Sequence, residues 1–288
     1  MCMIRELYER LGYKKLMIIP VLILLICSGF LLIQKEKTGE WLLKGIDLKG
    51  GSQLTFEIEK NVDVNDLKLY LKKNVGEVEV RKISSVGGNS LLIRSEEINE
   101  TSLIKNLNEY GLNTDNYSLQ EIGATLGESF FSQSMLAIFI ALLFMGIVVF
   151  VVFRNFVPSI AVIFAAVSDI ICTLGVMQAV GMEISLASFA GLLMVIGYSI
   201  DTDILLTTRL LKRREGEMME RIHSILKTGL TMSATSLMAL LGLFFASGSI
   251  ILQEISFVLI VALLIDIPNT YLMNLGILRW WMEKKGIE

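Results

Sequence analysis

Four aspartates sit inside long apolar stretches of this 288-residue chain: Asp169, Asp201, Asp203 and Asp266. A carboxylate within a bilayer costs on the order of 2.5–3.5 kcal/mol on insertion scales, so it persists where it faces a bundle interior and has a task. No Lys or Arg lies mid-span to neutralise any of them. Unpaired acids in a low-dielectric interior can take up and release protons, which is the chemistry of a proton relay. The competing expectation is that they hydrogen-bond hydroxyls on neighbouring helices, with Thr231, Ser233, Thr235 and Ser236 as candidates, and never change charge.

Position along the helices sorts the four. Helical rise puts Asp169 about 18 Å beyond Val157. The same rise puts Asp266 about 20 Å beyond Gln253. Both therefore fall near the midplane, on different helices. Asp201 and Asp203 sit closer to the opposite end of their span and point about 200° apart, so only one faces the bundle centre. Asp203, nearer the basic cluster Arg209, Lys212, Arg213 and Arg214, is expected to snorkel or to pair with Arg209.

The elements that must position these acids are membrane helices. The chain is 53% hydrophobic, with mean hydropathy +0.61, too apolar for a soluble domain. An uncleaved first span covers 16–33 after a cytoplasmic amino end, 1–15, holding Arg5, Arg10, Lys14 and Lys15. Five more spans are expected at about 133–153, 157–180, 184–206, 229–247 and 253–278, followed by a cytoplasmic tail, 279–288. Arg154, the run from Arg209 to Lys227, and Arg279, Lys284 and Lys285 all fall on the side of the amino end. The short loops on the other side, 181–183 and 248–252, hold no Lys or Arg. By the positive-inside rule both termini are cytoplasmic and residues 34–132 lie outside. Arg209 to Lys227 reads as an amphipathic inner segment whose basic residues hold the loop in place, with contact to translocation machinery as the sharper alternative.

Residues 34–132 carry soluble-domain periodicities. Leu54, Phe56 and Ile58 alternate with Thr55, Glu57 and Glu59, a strand pattern. Val64, Leu67 and Leu71 follow helical spacing behind Asp63, a candidate N-cap. Two further strands join through Gly87–Gly88, a helix presents Leu103, Leu107 and Tyr110, and a last strand follows Asn116. The order β-α-β-β-α-β is that of an α+β ferredoxin-like domain. Cys2, Cys27 and Cys172 suggest no disulfide framework, and Ile26 is too bulky for Cys27 to be a lipoprotein site. His223, in what reads as a loop, is the single histidine, so a His-based zinc or catalytic site is excluded.

Several segments resemble the SecD/SecF family of protein-export membrane proteins. Gly45-Ile46-Asp47-Leu48-Lys49-Gly50-Gly51 is similar to the D-x-x-G-G signature that opens that family's outer domain, and Ile122 to Gly127 to the segment leading into the second span. Gly197-Tyr198-Ser199-Ile200-Asp201 resembles the SecF fourth-helix signature, and Ser168-Asp169 the His-Asp pair of the third. Leu243-Phe244-Phe245 and Thr270-Tyr271 resemble the fifth and sixth helices. The matches run in register along the whole chain. They imply half of a transporter of the resistance-nodulation-division (RND) type: six transmembrane helices with an extracytoplasmic domain, completed by a SecD partner. The implied role is to help the Sec translocon export unfolded polypeptides using the proton motive force. Bacterial SecF proteins read Asn-Asp-Thr where this chain has Asp201-Thr202-Asp203, which puts Thr202 at the usual Asp position. Thr228 falls where an Arg is common, and Asp266 is outside the bacterial pattern. These departures suggest an archaeal-type branch.

Two other functions compete: an RND-type exporter of small molecules or lipids, and a proton-silent translocon scaffold. The single small outer domain argues against the exporter. No nucleotide loop, nucleophile constellation or metal cluster suggests an enzyme or a cofactor, and no basic stripe with interleaved aromatics suggests nucleic acid.

Overall fold

The computed structural model describes residues 12–58, 62–76, 78–85, 88–95, 100–112, 117–211 and 218–286. Arg5, Arg10, Gly87 and the basic residues Lys212, Arg213 and Arg214 lie outside them. In chain order the elements are α1 (Ile18–Thr38), α2 (Ile46–Lys49), β1 (Gly51–Ile58), α3 (Val64–Asn74), β2 (Glu79–Ser85), β3 (Gly88–Ser95), α4 (Glu100–Glu109) and β4 (Tyr117–Ile122). Then come α5 (Ala124–Phe153), α6 (Phe156–Ala179), α7 (Leu186–Leu211), α8 (Met218–Ala246), α9 (Ile250–Pro268), a π-helical turn (Asn269–Asn274) and α10 (Leu275–Lys285).

The strands form one antiparallel sheet in the order β2-β3-β1-β4. With α3 and α4 this is the βαββαβ arrangement that the periodicities anticipate. Alternation on β1 turns Leu54, Phe56 and Ile58 inward, where they meet Leu67 and Leu71 of α3 and Leu103 and Leu107 of α4. Asp63 caps α3 by accepting from the Asn65 and Asp66 backbone N–H groups at 2.9 and 3.4 Å.

Among the described residues, six helices are long and apolar enough to cross a membrane: Gly12–Thr38, α5, α6, α7, α8 and the continuous Ile250–Lys285. The helices run past their apolar cores. α5 starts at Ala124, and α8 starts at Met218 and enters its apolar part unbroken, so His223 is helical. The stretch 218–227 therefore belongs to a spanning helix, not to a separate amphipathic segment. The most apolar stretch of α6 is 61% buried and that of α7 50%, against 11% for α8. The bundle's centre is thus α6, α7 and α9, with α8 at its edge.

Close approach of α1 to α6 depends on Gly175. A Cβ there would sit 2.7 Å from the Cys27 Cβ and 3.1 Å from its Cα, and the backbone of α1 cannot step aside as a side chain can. Gly175→Leu is expected to cost about 1–3 kcal/mol or more through overpacking. A lowered Tm in detergent would show this, and an unchanged Tm would mean the contact does not hold α1.

The two glycine motifs at the chain's re-entry to the bundle meet in space. A Cβ on Gly127 would lie 2.7 Å from the Gly50 backbone N, and Gly50 itself has φ +86°. Here α2 and the first turn of α5 touch backbone to backbone, a contact only glycine permits. Asp47 lies on α2, and Gly51 (φ +129°) opens β1.

Candidate functional site

Three of the four candidate acids converge. Asp169 on α6, Asp203 on α7 and Asp266 on α9 are 0, 0 and 1% exposed at the centre of the bundle. Asp201 is exposed on the other face of α7, as its two-residue offset from Asp203 requires. The expectation that Asp203 snorkels or pairs with Arg209 is corrected. Its side chain points inward, while Arg209 donates to the Thr228 hydroxyl at 2.8 Å. A guanidinium from α7 thus reaches α8 at Thr228, the position where the family resemblance leads one to expect an Arg.

The partners of the acids come mostly from the π-helical turn. Asn269 Nδ2 donates to Asp169 Oδ1 at 2.7 Å, and Ser199 Oγ to Asp169 Oδ2 at 2.7 Å. Asn274 Nδ2 donates to Asp203 Oδ1 at 2.7 Å. Thr202 Oγ1 lies 3.2 Å from Asp266 Oδ2, so the residue standing at the usual Asp position contacts the extra acid of the last span. The hydroxyls proposed from sequence are not the partners: Thr231 and Thr235 face outward and donate to the Lys227 and Met232 carbonyls of their own helix. Reasoning from sequence missed Asn269 and Asn274 and noted Thr270 only as part of a motif, although with Asp266 they form a polar stripe spaced i, i+3, i+4, i+8. Pro268 has no backbone N–H to give the helix, and the widened π turn directly after it is a device often found at functional sites.

Counting donors shows what the cluster can do. Thr270 Oγ1 is 2.9 Å from Asp266 Oδ1 and 3.1 Å from Asp203 Oδ1, yet its hydroxyl has one proton to give. Thr202 Oγ1 likewise divides one proton between the Ser199 carbonyl, 2.9 Å away, and Asp266. Among the described residues, Asp203 Oδ2, Asn269 Oδ1 and Asn274 Oδ1 are buried acceptors with no side-chain or backbone donor. Among the described residues, no Lys or Arg pairs with any of the three acids. The cluster therefore holds more acceptors than side-chain donors, and the Thr270 hydroxyl stands between Asp203 and Asp266. A cavity of about 10 Å³ between α7 and α9 reaches Asp266 past the half-exposed Tyr198 ring. That is room for about one water. Gly197, of the same motif, has open space where a Cβ would stand.

The sequence profile described as "Protein export membrane protein SecD/SecF, C-terminal" matches residues 102–284. "Protein-export membrane protein SecF" of Methanocaldococcus jannaschii is 41% identical over 281 residues, covering 94% of this chain and 96% of its own length. This chain belongs to the SecF family. The SecF of Pyrococcus furiosus is 39% identical, covering 97% of this chain and 95% of its own. These relatives place the chain with archaeal SecF proteins, as the departures at Thr202 and Asp266 suggested. The crystal structure of SecDF, a translocon-associated membrane protein from Thermus thermophilus, superposes with a TM-score of 0.74 at 20% identity over 93% of this chain. The chain spans 38% of that longer protein, so the likeness is one of fold.

Proposed function

We propose that this SecF-family chain is an accessory subunit of the Sec translocase, acting with a SecD-like membrane partner to promote export of unfolded polypeptides, and that proton flow through the Asp169–Asp203–Asp266 cluster powers it. The observation carrying this reading is the convergence of three buried acids from three helices with too few donors and no basic partner among the described residues. Supporting it, the Thermus relative contains a chain of this fold within a protein more than twice as long. The membrane partner seats on the face of α7 and α8. Among the described spans α8 is the least buried, and the two helices expose Asp201, Tyr198, Thr231 and Thr235, polar groups poorly suited to lipid. With Lys and Arg gathered at one end, both termini are cytoplasmic and the α/β domain lies outside, where it meets the emerging polypeptide. One charge crossing 100 mV supplies about 2.3 kcal/mol, enough to bias movement of a chain.

The test is export of a secreted reporter by cells with and without this chain, each with the proton gradient intact or collapsed by a protonophore. The chain's advantage is expected to vanish when the gradient is collapsed. An advantage that persists undiminished would make the role proton-silent.

A further inference from the structure

The α/β domain is joined to the bundle by the chain at one side of its sheet and by charge at the other. Both covalent connections, Gly50–Gly51 into β1 and Ile122–Gly123 out of β4, lie on adjacent strands, since Gly51 pairs with Ile122. The base beneath them is fixed. Leu43 and Gly45 bracket Ile184 in a parallel bridge, with the Ile184 N–H donating to Leu43 and the Gly45 N–H to Ile184, each at 2.8 Å. β2 and β3, the other half of the sheet, have no chain connection to the bundle. There, Arg94 of β3 donates to Glu183 at 2.7 Å and lies 3.8 Å from Glu254 of α9, while its Nε donates to Gln53 at 2.7 Å. Arg81 of β2 reaches the Gly181 carbonyl at 3.2 Å and pairs with Glu79 at 2.7 Å. Ser185 donates to Glu254 at 2.5 Å and holds that carboxylate in place.

We infer that Arg94 and Arg81 form an ionic latch, and that the α/β domain swings about the Gly50–Gly51 and Gly123 corner when the latch opens. The arginines matter because the latch is only partly wet. Arg94 is 9% exposed, and burial followed by the Glu79 charge pushes the Glu183 carboxyl up, against the pull of both arginines. A buried ion pair that loses one partner leaves the other charge uncompensated, so the closed arrangement loses its reason to persist. Leu54, Phe56 and their neighbours pack within the domain and stay packed when it opens, while Leu48 belongs to the core of the bundle. The groove beside the latch, lined by Lys49, Lys68, Val78 and Glu183, leaves space on that side into which the sheet can tilt.

The experiment is a distance measurement between spin labels at Lys73→Cys on α3 and Val180→Cys at the end of α6, both exposed positions. The full chain is used in lipid nanodiscs, with Cys2, Cys27 and Cys172 replaced. The unaltered latch is expected to give one narrow distance. Arg94→Gln combined with Arg81→Gln is expected to add a second, well-separated distance, and Glu183→Gln combined with Glu254→Gln to do the same from the other side. Lys105→Ala, which removes an exposed ion pair within α4, is expected to leave the narrow distance unchanged. A single narrow distance in both latch variants overturns the inference. So does broadening in Lys105→Ala of the same size as in the latch variants, because the domain would then be loosened by any lost charge.

Discussion

Asp169→Asn, Asp203→Asn and Asp266→Asn, each at matched membrane levels, are expected to cut export of a secreted reporter by about tenfold or more. That corresponds to about 1.4 kcal/mol in the limiting step. Asp201→Asn is expected to stay within about twofold. Asparagine keeps the size of aspartate and one acceptor oxygen, which is enough for Asp203, whose Oδ1 alone accepts. Asp169 and Asp266 accept at both oxygens, and there a Ser199, Thr202 or Thr270 hydroxyl must turn to accept from the new amide. What it removes is the ability to gain and lose a proton. Asp266 should show the largest loss, because it touches both hydroxyls whose single proton is contested, Thr202 and Thr270. Co-purification of a SecD-like partner separates the causes. Partnership should remain intact in the three buried variants and in Asp201→Asn. Full export by all three buried variants would leave the chain a scaffold whose acids are proton-silent.

Much of this site is legible in the sequence, and the part that is not has a physical cause. Four acids in apolar stretches are visible at once, and helical rise puts Asp169 and Asp266 at similar depth. Spacing alone says that Asp201 and Asp203 diverge but not which one turns inward. The burial of Ser188, Ser199, Thr202, Asp203 and Thr207 along one face of α7 decides it, and that stripe of small and polar residues was readable. On the last span the stripe of Asp266, Asn269, Thr270 and Asn274 was equally present, hidden because Asn and Thr in a membrane helix draw less notice than a charge. The π turn itself was less accessible: Pro268 marks a disturbed helix but does not say whether it kinks, ends or widens. In the α/β domain, alternation and an N-cap sufficed for strands and helices because those signals are local. The junction was beyond reach, since Arg94 and Glu183 stand 89 residues apart and nothing in either neighbourhood names the other.

Gly229→Ala is expected to damage stability and export together, and the order in which rescue appears distinguishes packing from chemistry. A Cβ on Gly229 of α8 would overlap the Tyr271 hydroxyl and come within 2.8 Å of its ring Cζ. Tyr271 is 2% exposed, wedged with Leu206, Leu226 and Leu275 in a cluster that offers its ring no easy retreat. It also lies within the π turn, between Thr270 and Asn274, the residues that hold Asp266 and Asp203. Overpacking of this kind costs about 1–3 kcal/mol. Because interiors pass strain along instead of absorbing it, part of that displacement must reach the acids. Tyr271→Phe removes the hydroxyl that clashes but leaves the ring, so Gly229→Ala with Tyr271→Phe is expected to recover most of the lost Tm. If export recovers in step, the glycine serves to seat the turn on which the proton site is built. If Tm recovers and export does not, the phenol hydroxyl itself takes part in the relay. Gly229→Ala that unfolds no more readily than wild type would mean α8 moves away freely, and the edge of the bundle is looser than its packing indicates.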